Sequence, residues 1–160
     1  MEWKIVPGYD RSQELVVLLA EYTKMLVEGE PGMAPYLGQQ GYEEEVAHLE
    51  HKYGRPDGRL YVALADDRVV GCIALRRFDE TRCELKRLYV VPELRGCGIA
   101  RALTRQLIAD AREIGYRQIL LDTLPFLREA IALYESEGFY QVERYNDSPL
   151  SRTYFYCLDL

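Results

Sequence analysis

The sequence predicts a single-domain α/β (α+β) fold, a mixed β-sheet of about seven strands flanked by about four helices. Three observations carry this reading. Between residues 83 and 137 strand-like and helix-like runs alternate, which predicts locally parallel pairing inside a mixed sheet. The other strand-like runs are short and bounded by turn residues. Each helix-like run has one apolar face at helical spacing. No repeat, low-complexity segment or linker interrupts the chain, so residues 1–160 read as one domain.

Residues 3–6 read as a first strand. Ser12 can cap a helix whose apolar face is Leu15, Leu18, Leu19, Tyr22, Met25 and Leu26. Residues 29–41 hold four glycines and two prolines and read as a loop. Tyr42, Val46, Leu49 and Tyr53 mark a second helix. Residues 60–65 and 69–78 form a hairpin around Asp66-Asp67, and residues 83–91 a fourth strand that Pro92 ends. Ile99, Leu103, Leu107, Ala111 and Ile114 line one side of a third helix, which Gly115 stops. Residues 118–122 are an apolar fifth strand. Leu127, Ala130, Ile131 and Tyr134 mark a fourth helix ended by Gly138, and residues 140–144 and 153–158 are the last two strands.

Hydrophobic residues make up 48% of the chain and charged residues 29%, a globular balance. No stretch approaches the ~20 apolar residues of a membrane span, so no membrane association is expected. The start, Met1-Glu2-Trp3-Lys4-Ile5-Val6-Pro7, lacks the basic and long apolar regions of a signal peptide, and a cytoplasmic location is expected. A net charge of -6 argues against nucleic acid as a partner and for cationic ones. A homodimer is left open.

Cys72, Cys83, Cys97 and Cys157 form no C-x-x-C pair, and the only histidines are His48 and His51, so no metal is expected. Cys72, Cys83 and Cys157 lie in strand-like runs and read as small core residues. Cys97 lies in a glycine turn without a histidine or aspartate motif, which favours a residue used for its backbone over a nucleophile.

That turn, Arg95-Gly96-Cys97-Gly98-Ile99-Ala100, follows the fourth strand and opens the third helix. A helix start leaves backbone N–H groups unpartnered, and those groups with the helix dipole favour a phosphate. Two glycines let the backbone approach the ligand closely. The turn therefore points to a phosphate-bearing ligand at residues 95–101, against the plainer reading of a tight strand-to-helix connection. Neither a P-loop G-x-x-x-x-G-K-[ST] nor a G-x-G-x-x-G in a first βα unit is present.

Read from Arg95 to Ala100, the turn matches Arg-x-x-Gly-x-Ala and resembles the coenzyme A signature of the GNAT superfamily of N-acetyltransferases. Leu88-Tyr89-Val90-Val91-Pro92 looks like that family's preceding strand and turn. Ala130-Ile131-Ala132-Leu133-Tyr134-Glu135-Ser136-Glu137-Gly138-Phe139 looks like its later helix. The similarity spans roughly residues 83–142. One departure stands out: many members carry Asn seven positions before the helix tyrosine, where this chain has Leu127. The resemblance implies the same order of elements, acetyl-CoA as cosubstrate and an acetyl transfer to an amine. It implies cofactor contacts from Leu88, Tyr89, Val90, Arg95, Gly96, Cys97, Gly98, Ile99, Ala100 and Arg101.

Acyl transfer from a thioester to an amine has three demands. The amine must lose a proton from an ammonium of pKa near ~10.4. The oxyanion needs a donor, and the departing thiolate benefits from a proton. Glu84 is the candidate base. In an extended strand it shares a face with Lys86, Leu88 and Val90. It stands eleven positions before Arg95, where the resemblance places a catalytic glutamate. The plainer reading is a strand-edge carboxylate paired with Lys86. The resemblance implies that the Leu88 N–H faces the thioester carbonyl and that the Val90 backbone pairs with the pantetheine arm. Tyr134 is the candidate acid, since a phenol stays protonated near neutrality and can donate to the leaving sulfur. Its spacing with Leu127 and Ile131 also fits a core position.

Two functions remain: an acetyl-CoA-dependent N-acetyltransferase, and a non-catalytic acyl-CoA binder that regulates or scaffolds. Retention of both Glu84 and Tyr134 favours the enzyme. The acceptor is a small-molecule or peptide amine. Lys86 and Arg87 could hold a carboxylate, whereas the acidic balance points to a polyamine or protein lysine. Residues 29–41 and 145–152 are the candidate acceptor walls.

Overall fold

Seven strands form one sheet in the order β1-β2-β3-β4-β5-β7-β6. In chain order these are β1 Trp3–Pro7, β2 Arg59–Ala65, β3 Arg68–Arg77, β4 Arg82–Val90, β5 Gln118–Thr123, β6 Tyr140–Val142 and β7 Tyr154–Asp159. This computed structural model describes residues 2–39 and 41–160. Neighbouring strands run antiparallel except β4 and β5, which run parallel as the strand–helix alternation predicts. The crossover between them is α5, Ile99–Ile114.

Leu60 and Val62 face the first helix, α1 (Ser12–Gly29), where Leu15 approaches both across Gly8. Tyr61, between them, points the other way and hydrogen-bonds Asp110 of α5. Helices therefore cover both faces of the sheet. Leu103, Leu107 and Ala111 of α5 are fully buried, as their spacing predicts. Gly115 ends α5 at a positive φ of 108°, a conformation glycine adopts without the Cβ penalty.

Six α-helices occur among the described residues, against about four expected. One addition is α2, Met33–Gln39, inside the stretch read as a loop; Gln40, in the same stretch, lies outside the described residues. Met33, Tyr36 and Leu37 give α2 an apolar side that packs on Leu26, Leu124 and Leu150. Pro35 falls in its first turn, where a missing N–H costs no helix bond. The other addition is a break. The expected second helix is two, α3 (Tyr42–Ala47) and α4 (Leu49–Tyr53), because His48 takes a non-helical φ of -140° and ψ of 63°. The last helix is α6, Arg128–Ser136. Ser12 is the first residue of α1 and makes no capping bond; Arg11 occupies the cap position and ion-pairs with Glu14 at 3.0 Å. Strand β6 ends at Val142, two residues before the expected limit.

The shared face of Glu84, Lys86, Leu88 and Val90 does not survive, because β4 carries a bulge. Lys86 pairs with Ala74 and Tyr89 with Cys72, so one β3 residue faces two of β4. Arg87 sits in the bulge at φ +63°. Past a bulge the alternation inverts. Tyr89 therefore joins Glu84 and Lys86 on the α1 side, where its ring meets Tyr22 at 5.8 Å. Val90 turns to the α5 side, against Gly71 and Ile99.

Arg87 is fixed by a buried fork. Its Nε and Nη2 donate to the two carboxylate oxygens of Glu45 at 2.7 and 2.9 Å. Lys52 and the Tyr53 hydroxyl donate to the same carboxylate at 2.8 and 2.7 Å. This network ties α3 and α4 to the bulge.

Candidate active site

Parallel pairing of β4 with β5 lasts three residue pairs, from Arg82↔Gln118 to Glu84↔Leu120. Beyond Leu120 the strands part, β5 staying with β7 while β4 follows β3. The gap opens into a cleft of about 740 Å³, walled by Leu88, Tyr89 and Val90 of β4, the glycine turn, and α6.

The turn has the form the sequence predicts. Gly96 and Gly98 adopt φ of +83° and +89°, and a Cβ at either would meet no protein atom within 4 Å. The first α5 amide with a backbone acceptor is Ala102, bonded to Gly98, so the N–H groups of residues 96–101 have no backbone partner among the described residues. Such a nest accepts an anion.

Of the ten expected cofactor residues, nine line the cleft; Cys97 is exposed and does not. Arg95 donates through Nε to the Val90 carbonyl at 3.1 Å and lies 5.5 Å from the Tyr89 ring centroid. The Arg101 guanidinium is held by Ser136 and Glu137 at the end of α6.

Met25, Leu88, Leu127 and Ala130 line both this cleft and an adjoining chamber of about 80 Å³ between the parted strands. Tyr134 lines this chamber. Its ring packs on Phe139 at 5.6 Å, and burial raises its phenol above the ordinary range, so it stays protonated. Its hydroxyl makes no hydrogen bond to a described residue and is not sealed from the chamber.

Glu84 lies deeper. It is 2% exposed and does not line the chamber. Arg76 Nε donates to its Oε1 at 2.7 Å and the Tyr145 hydroxyl to its Oε2. Lys86, the plainer partner, is farther at 4.0 Å. The carboxylate that does face the chamber is Asp122 of β5, which reads in the sequence only as the end of an apolar strand. Tyr36 and Asn146 both donate to its Oδ2, each at 2.9 Å, while Oδ1 has no hydrogen bond from a described residue. Burial works to raise the Asp122 pKa, but the Lys86 charge and these two bonds hold it below the ordinary value. Lys86 shares the chamber, and burial lowers its pKa against the pull of Glu84 and Asp122.

Both expected acceptor walls reach this region. Met33 and Tyr36 of α2 line the chamber, and the 145–152 segment supplies Tyr145 to Glu84 and Asn146 to Asp122. Arg87 also lines the chamber, with its guanidinium bound by Glu45. Elsewhere, the exposed His48, Glu50 and His51 bring possible ligand atoms within 4.8 Å of one another; the sequence reading weighs the two histidines without Glu50 and expects no metal.

Comparison with known proteins gives a consistent result. The model of the Acetyltransferase (GNAT) family matches residues 23–139. An uncharacterised N-acetyltransferase of Schizosaccharomyces pombe is 36% identical over 123 residues, 76% of each chain. An acetyltransferase of Streptococcus agalactiae has the same fold at a TM-score of 0.78 and 25% identity, over 99% of this chain and 98% of that one. The PaiA N-acetyltransferase of Thermoplasma acidophilum, solved in complex with coenzyme A, superimposes at a TM-score of 0.77 over the whole of both chains; at 17% identity the likeness is one of fold.

Proposed function

The chain belongs to the GNAT family of N-acetyltransferases, and on that premise we propose that it moves an acetyl group from acetyl-CoA directly to a primary amine. The observation that carries this is the glycine turn lining a cleft that adjoins the chamber. The cleft that holds the anion nest and the chamber that holds the buried phenol adjoin, sharing Met25, Leu88, Leu127 and Ala130 as common walls. In this reading the amides of residues 96–101 hold the pyrophosphate and Val90 pairs with the pantetheine arm. The Leu88 N–H polarises the carbonyl.

Acetyl-CoA supplies the activated acyl group. The amine nitrogen attacks the thioester carbon, the C–S bond breaks and an amide forms. Glu84 takes the proton lost by the amine, and Tyr134 gives one to the departing sulfur. Since Glu84 does not line the chamber, it acts through a bridging water. The free chamber-facing hydroxyl of Tyr134 favours the transferase over a non-catalytic binder.

Two measurements test this. Gly98→Asp places a Cβ and a negative charge in the nest, and calorimetry should show coenzyme A binding weakened at least about tenfold, or ~1.4 kcal/mol. Unchanged affinity would remove the pyrophosphate from the turn. Wild-type protein incubated with acetyl-CoA and a panel of small amines should yield acetylated product by mass spectrometry. Under the same conditions at pH 7, Glu84→Gln should run ~10²-fold slower or more, the range of a general base acting directly or through one water. Intact coenzyme A binding without any acetylated amine would leave the non-catalytic reading.

A further inference from the structure

Two successive residues of the 145–152 segment bind the carboxylates on either side of the parting between β4 and β5. The Tyr145 hydroxyl donates to Glu84 Oε2, and the Asn146 amide donates to Asp122 Oδ2 at 2.9 Å. We propose that Tyr145 is a positioning residue for the transfer, one that holds the Glu84 carboxylate in place for the proton step through this hydrogen bond. This rests on the transferase reading above and adds a residue to it.

Three observations support it. First, the bond completes the fixing of the carboxylate. Arg76 Nε donates to Oε1 at 2.7 Å, and Lys86 stands farther from the same oxygen, at 4.0 Å. Among the described residues Tyr145 alone donates a hydrogen bond to Oε2. Donors on both oxygens set the carboxylate plane, which one donor leaves free to turn. Each oxygen has a second lone pair, so the fixed group can still accept from a bridging water.

Second, Tyr145 is itself fixed. Its ring meets Phe78 at 5.3 Å and Phe155 at 5.2 Å, both edge to face. Burial and the Glu84 charge push its phenol above the ordinary range, so it stays a donor. Arg76 reaches Glu84 from a side chain that is 30% exposed, where water and salt weaken the pairing.

Third, the segment is braced. Arg144 donates to the Ser148 and Leu150 carbonyls, and the Ser148 N–H donates to Asn146 Oδ1 at 3.0 Å. Ladder pairing of β4 with β5 ends at Glu84↔Leu120. Tyr145 on β4 and Asn146 on β5 join the two strands through side chains at that end.

The test is a double-mutant cycle, run with acetyl-CoA and an amine that the wild type acetylates. Tyr145→Phe keeps both ring contacts and loses only the hydroxyl. Its kcat should fall about tenfold, the cost of a loosened catalytic group, with KM for acetyl-CoA and calorimetric coenzyme A affinity unchanged. In a Glu84→Gln background the same substitution should cost nothing further, because a residue that acts through Glu84 has no base left to place. A hydroxyl that only shapes the fold or the chamber would slow both backgrounds by the same factor. Equal losses in the two backgrounds, or a wild-type kcat in Tyr145→Phe, would overturn the proposal and leave Glu84 as the base. A wild-type rate in Glu84→Gln would overturn the base assignment and the proposal together. Failure of the wild type to acetylate any amine would overturn the transferase reading and this proposal with it.

Discussion

Glu45→Gln should destabilise the fold by about 3 kcal/mol at pH 7, although residue 45 lines neither the cleft nor the chamber. Burial alone would raise the Glu45 pKa, but the Arg87 fork and the Lys52 charge bring it down to about 2. A drop of roughly 2.5 units from the ordinary 4.5 is worth about 3 kcal/mol of folding free energy. The sign follows from the depressed value. The contribution is complete above the unfolded pKa of 4.5 and is lost as pH falls through it toward about 2. Urea titrations at pH 7 and at pH 3 should therefore show the gap between wild type and variant shrinking in acid. Equal stability at pH 7 would mean that the fork is a bystander. Because Arg87 occupies the β4 bulge, the variant should also loosen the backbone beside Leu88.

Tyr134→Phe should lower kcat by ~10² or more while acetyl-CoA binding stays near normal. The phenylalanine ring keeps the contact with Phe139 and the helix face, so folding should be untouched. What it loses is a hydroxyl that faces the chamber with no hydrogen bond to any described residue. Steady-state rates can mask the loss if release of coenzyme A is limiting, so single-turnover kinetics is the decisive assay. A wild-type rate there would assign proton donation to water and leave Tyr134 a packing residue.

Much of this was legible in the residues because it is local. The apolar rows of α1, α5 and α6 predict their packing. Two glycines before a helix predict an anion nest wherever the rest of the chain goes. The β4 bulge was not legible, since its support comes from Glu45, 42 positions away. A strict alternation through Leu88 and Val90 then assigns the wrong face. The α2 helix was hidden by glycines and proline, though the i, i+3, i+4 spacing of Met33, Tyr36 and Leu37 was a readable signal. Asp122 was missed for another reason. An aspartate closing Ile119-Leu120-Leu121 reads as the end of a strand, and only the parting of β4 from β5 makes that end the wall of a chamber.

The small cluster of Leu26, Met33, Tyr36, Leu37, Leu124 and Leu150 is distinct from the main core and meets it through Tyr22, Met25 and Tyr42. It carries α2 and the 145–152 segment over the chamber, whereas Ile99, Leu103 and Leu107 anchor the glycine turn to the main core. Changes at positions that share no packing partner combine nearly additively, and Met33 and Leu150 belong to the small cluster while Ile99, Leu103 and Leu107 belong to the main core. Mutations at Met33 or Leu150 can therefore reshape the roof of the chamber without disturbing the anion nest. In evolutionary terms the fold offers two independent dials. A lineage can explore new acceptors through the satellite cluster while the machinery that grips the donor is inherited unaltered.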